Sequence, residues 1–216
     1  MTEAALKAGP ENWYRNDTWS VRTELAFLTK LNRTRGQGPQ CLAIQISHLA
    51  DGSPEVALRL TTLYFEEWSD PMHDGSVHMA AARAHVALGA MAEASTSYAK
   101  AVAWQALHPE YQIGAELAYA MHVAEHAQRD AFAAAQAALD RVDRDTLVFP
   151  LERFRLHCAH ALISDALGDR AATQSHARCA LAEATPDARG LHGHPDLGRV
   201  PWEAAPLLVR LKRLAQ

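Results

Sequence analysis

Three cysteines in 216 residues are too few, and odd in number, for a disulfide framework. Cys41, Cys158 and Cys179 are therefore read as reduced thiols, which points to the cytoplasm. A long apolar run is missing as well. The longest are interrupted by His, Arg or Glu, whereas a membrane-spanning helix needs about 20 apolar residues. Charge of one sign is nowhere concentrated: the net charge is -4 and no block of like charges occurs. That excludes an electrostatic nucleic-acid or membrane surface. The opening "MTEAALKAGPENWYRND" has no basic flank followed by an apolar stretch, so no secretory leader is expected.

Clusters of β-branched residues are scarce too. "DTLVFP" is the nearest approach to a strand and is too short to build a sheet. The chain also lacks a glycine-rich phosphate loop, a nucleophile elbow and a basic stripe interleaved with aromatics. Glu66 and Glu67 read as a solvated helix end, and nothing identifies a general acid and base pair. No cofactor, no metal and no catalytic residue is expected.

What the chain does have is alanine, with apolar residues recurring at three and four, the mark of helix. In "SPEVALRLTTLYFEEW" Ser53 suits an N-cap, Pro54 the first turn and Glu55 the positive end of the dipole. The apolar stripe there is Val56, Leu60, Leu63 and Tyr64. Further helices are predicted over about 19–34, 39–50, 76–88, 91–106, 112–127, 130–142, 151–167, 170–184 and 206–215, punctuated by "RGQGP", "SDPMHDG", "HPE" and "LGD". The fold class is all-α.

These helices repeat. The small residue about five positions beyond each short turn is Ala57, Ala94, Ala134 and then Thr173, at intervals of 37, 40 and 39. Helical hairpins at a period near 40 predict a solenoid, in which each unit buries its apolar face on its neighbours.

"LGAMAEASTSYAKAV" resembles the second half of a tetratricopeptide repeat, with Gly89, Ala94, Tyr98 and Ala101 in the order that family uses. "LGDRAATQSHARCALAEATPD" is similar through Gly168, Ala177, Ala180, Leu181 and Pro186. The spacing exceeds the roughly 34 residues usual for that repeat, and the Trp, Leu-Gly and Tyr of its first helix are largely missing. "NWYRNDTW", "QCLAIQ" and "HPDLG" also resemble an uncharacterised group of bacterial proteins built on such repeats, a likeness that implies architecture and no activity. The resemblance implies a right-handed superhelical α-solenoid of about four hairpins over residues 18–185. An N-terminal arm (1–17) would precede it, and a C-terminal strap and capping helix (186–216) would follow.

The ends of such a solenoid need covers. Trp13, Tyr14 and Trp19 suit one end. Trp202 with Leu207, Leu208, Leu211 and Leu214 suits the other, leaving Arg210, Lys212 and Arg213 in water.

Three histidine-bearing stretches are weighed as sites. "HVAEH" (His122 to His126, with Glu125) has the spelling of a zinc peptidase helix, but such a peptidase also needs a downstream carboxylate. "HCAH" (His157, Cys158, His160) and "HARC" (His176, Cys179) stand at matching heights about Gly168. There His160 pairs with His176, and His157 with Cys179, a donor set that suits zinc. "GLHGHPDLG" carries His192 and His194 between Gly190, Gly193, Pro195 and Gly198, and reads as a strap where the chain changes axis. Packed or solvated side chains are the expectation for all three.

The resemblance further implies a concave groove lined by the first helix of each hairpin: Met79, Arg83, Glu116, Tyr119, His126, Arg155, Cys158 and Asp165. Both signs of charge among apolar residues suit a polypeptide better than a polyanion. The expected function is a cytoplasmic, non-enzymatic adaptor or scaffold that binds another protein or peptide, with no nucleic acid and no membrane. The alternatives are an immunity protein masking one toxin and, more remotely, a metal-dependent hydrolase using "HVAEH".

Overall fold

The structure, a computed structural model, describes residues 12–185, 198–201 and 204–216. His192, His194, Pro195 and Trp202 lie outside the described residues, as do residues 1–11 of the expected arm. Among the described residues there is no strand, and ten α-helices follow one another along an all-α chain. No helix among them is long and apolar enough to cross a membrane. The chain divides into two compact units, Met1–Ile113 and Gly114–Gln216.

In the first unit α1 (Val21–Leu31) starts at Ser20, whose hydroxyl accepts the Thr23 N–H at 3.1 Å. α2 (Gly38–Leu49) is the central helix, with Leu42, Ile46 and Leu49 fully buried. Gln45 is as buried as these three. Its amide oxygen accepts the Asn16 N–H (3.0 Å) and Nδ2 (2.7 Å), and its Nε2 donates to the Asn16 carbonyl at 2.8 Å. A buried amide is tolerated because it is satisfied, and here it fastens the segment carrying Trp13 and Trp19. Both rings lie against Phe27 of α1, at centroid distances of 5.4 and 5.5 Å.

α3 (Pro54–Leu63) begins after Ser53, but the serine hydroxyl makes no capping bond. At ψ 61° its backbone departs from the extended conformation of Ser20 (ψ 164°). A π-helical turn, Tyr64–Trp68, extends the helix. It carries the buried Tyr64 hydroxyl to 2.9 Å from both Asp74 Oδ1 and the Asp70 carbonyl, where it accepts the Asp70 N–H at 3.0 Å. Trp68 closes over Gly38, where any Cβ would overlap the indole.

α4 (Asp74–Ala87) and α5 (Met91–Leu107) make the most extensive helix contact of the unit. Ala80, Ala84, Ala94 and Ala101 are all but inaccessible, and small side chains are what allow two helix axes so close. Trp104 lies flat on Gly75, donates its indole N–H to the Pro71 carbonyl at 2.7 Å and stacks on His108.

The second unit holds α6 (Ala115–Glu125), α7 (Phe132–Leu139), α8 (Pro150–Leu167), α9 (Arg170–Glu183) and α10 (Ala205–Leu214). α8 and α9 make its broadest contact, across a turn in which Gly168 takes φ 82° and Asp169 caps α9 through the Ala172 N–H. α10 packs on both, with Leu211 fully buried among Phe154, Cys158, Ala177 and Ala180. Gly198 (φ 74°) passes so close to Phe149 that a Cβ would collide with its ring, and its carbonyl accepts the Leu151 N–H at 2.8 Å.

The spacing of small residues needs one correction. Ala57, Ala94 and Thr173 are buried, but Ala134 is exposed and Ala135 takes its place inside. A 3-10 turn, Arg129–Ala131, precedes α7 and delays its start.

Candidate functional site

The second unit carries a groove of about 500 Å³. α6 supplies Met121 and Glu125, α8 supplies Leu151, Phe154 and Arg155, and the start of α10 supplies Leu207 and Arg210. The amphipathic stripe of α10 makes this shape. Leu211 anchors the helix, so Leu207, one turn earlier, forms a wall above Phe154. Apolar surroundings push the Glu125 carboxyl above the ordinary carboxylate range, while His126, Arg155 and Arg210 pull it back. Arg210 also faces Asp165 at 3.6 Å. The groove thus has an apolar floor and a rim carrying both signs of charge.

The eight residues expected to line a groove fall in different settings. Arg155 lines this one, and Asp165 stands beside it through Arg210. Cys158 lies one turn along α8 from Phe154 but faces the core with no exposed surface, and burial pushes its thiol far up. Thiolate chemistry is closed to it. Glu116 and Tyr119 are buried within the protein, and His126 is exposed at the end of α6. Met79 and Arg83 belong to the first unit. Met79 is half-buried, while Arg83 is engaged by Asp51 through two nitrogens and reaches Ser47. Met121, Glu125, Leu207 and Arg210 were not anticipated. Their periodicity marks α6 and α10 as amphipathic, but only the crossing of three helices turns that into a groove.

In "HVAEH" the His122 ring is buried, 4.8 Å from that of His126, with its Nε2 3.2 Å from Gln128 Nε2. Glu125 points elsewhere, into the groove.

The second histidine cluster is more compact. His160 of α8 stacks on His176 of α9 at 4.6 Å between centroids and 18° between planes. His157 Nδ1 lies 3.1 Å from His176 Nδ1. Cys179 is exposed. Three residues beyond His176 it is rotated by roughly 60° around α9, on a solvated flank, as expected for a side chain outside the hairpin contact. Burial lowers the basicity of all three imidazoles, His160 to about 4, with the charges of His176 and Arg144 acting in the same sense. Among the described residues no group of three or more His, Cys, Asp or Glu side chains is placed to hold a metal ion.

Comparison with family models, with curated proteins and with solved structures finds no match for this chain.

Proposed function

We propose that the protein is a non-enzymatic interaction module that takes a segment of another polypeptide into the groove of its second unit. The observation that carries this reading is the groove's build: a floor of Met121, Leu151 and Phe154, a wall at Leu207, and a rim of Glu125, Arg155 and Arg210. Apolar anchors fixed by a few charges of both signs suit a peptide's alternating side chains and backbone. The pairs α2/α3 and α4/α5 in the first unit, and α6/α7 and α8/α9 in the second, support a tetratricopeptide-like repeat architecture. Such repeats are built to present surfaces to other proteins. Three free cysteines suit a reducing compartment such as the cytoplasm.

Leu207→Glu places a charge on the groove wall and leaves the Leu211 anchor in place. Affinity capture with the wild type followed by direct titration of the captured partner tests the reading. Binding weakened at least about ten-fold in the variant, equivalent to roughly 1.4 kcal/mol, is the expected result. Equal affinity in a variant that melts within a few degrees of the wild type removes the groove from the account.

A further inference from the structure

α8 and α9 are joined by a contact that works only while at least one of its two bonded rings is neutral. At 3.1 Å, His157 Nδ1 and His176 Nδ1 share one hydrogen bond. One nitrogen must carry a proton and the other a lone pair. Protonating both rings makes each nitrogen a donor and sets two cations face to face. The His160 ring, stacked on His176 at 4.6 Å, adds a third. A permanent cation is already present, because Arg144, from the turn after α7, acts on all three rings. The acids nearby are few. Asp140 faces His160, and Glu183 faces His157 but is held by Arg153 at 3.0 Å. The rings are also half-buried, so water screens their mutual repulsion poorly.

We propose that His157, His160 and His176 form an acid-released clasp, which holds α9 on α8 near neutral pH and loosens it in mild acid. The sign follows from linkage. All three folded-state values lie below the roughly 6.5 of an unfolded histidine. Their contribution is therefore complete above pH about 6.5 and is lost as pH falls from there towards the folded-state values, about 4 for His160. From pH 7.5 to 5.0, His160 alone raises the opening constant about 30-fold.

Two measurements on the full chain test the clasp. Amide hydrogen exchange across α9, corrected for intrinsic rates, is compared at pH 7.5 and 5.0 for the wild type and His160→Phe, which keeps a ring on His176 without a titrating nitrogen. The wild-type opening constant should rise at least about 30-fold, and the variant should lose roughly ten-fold or more of that rise. An equal rise in both proteins overturns the proposal. The second measurement needs no variant. In a proton NMR titration of the wild type, three imidazole resonances should titrate below the ordinary histidine range, with His160 moving at about pH 4. Titration of every histidine between pH 6 and 7 overturns the clasp on its own.

Discussion

Replacing Gly75 by alanine should cost the first unit about 2–3 kcal/mol of stability, although it substitutes a better helix former in a helix. Alanine gains up to roughly 1 kcal/mol over glycine in a helix interior. Against this, the new Cβ falls on the Cδ2 and Cε3 atoms of the Trp104 indole. These are atoms of a rigid ring, close to its attachment point, so no small torsion clears the overlap. The indole must swing, and in doing so it gives up its 2.7 Å bond to the Pro71 carbonyl and its stack on His108. Overpacking of this kind costs about 1–3 kcal/mol, and a buried N–H left without an acceptor costs about 1–3 kcal/mol more. The clash outweighs the helix propensity. Gly52→Ala is the control, because a Cβ there meets nothing within 4 Å, and it should change stability by less than about 0.5 kcal/mol. Denaturant unfolding followed by tryptophan fluorescence reads both. A Gly75→Ala protein as stable as the wild type would show that Trp104 does not pack on the α4 backbone.

Leu211→Ala should remove about 3 kcal/mol, within the 2–5 kcal/mol spanned by buried leucine truncations. The side chain has no exposed surface and sits where α8, α9 and α10 meet, touching a cluster of Phe154, Cys158, Ala161, Ala177 and Ala180. Most of that lining is alanine, held on helix backbones that cannot move in to fill a vacated methyl space. The cavity therefore stays open, and the cost falls above the bottom of the range. Val209, two residues away on the same helix, is half exposed at 51%, and Val209→Ala should be nearly neutral. Hydrogen exchange along α10 reports the difference locally. Less than about 1 kcal/mol lost at Leu211 would mean that α10 is not part of the folded core.

How far the sequence foretells this fold depends on how local each feature is. Ten helices lie where apolar periodicity and punctuation place them, because caps, turns and stripes are written within a few residues of where they act. The matching heights of His160 and His176 about Gly168 were legible for the same reason: two helices joined by a one-glycine turn leave little choice of register. Non-local features were harder to read. Ser53 has the right chemistry for a cap but, at ψ 61°, makes no capping bond. Ala135, not Ala134, takes the inward place on α7, which follows a 3-10 turn only weakly signalled in "QRDA". Another turn carries no glycine at all: Ala127 takes φ 49° after α6, so the usual sign of a helix end is missing there. Cys158 and Arg155 are three residues apart on one helix, yet one is buried and the other lines the groove. Which face of α8 is covered is decided by α10, some fifty residues further along the chain.

The uneven burial of the three thiols makes the chain a convenient object for spectroscopy. Cys41 and Cys158 are shut inside with their thiols pushed towards the protonated form, while Cys179 stands in solvent on α9. A maleimide-bearing dye or spin label supplied near neutral pH therefore reacts at one position without mutagenesis. That position is one helical turn from His176, so the native protein carries its own attachment point for an optical or magnetic reporter of α9.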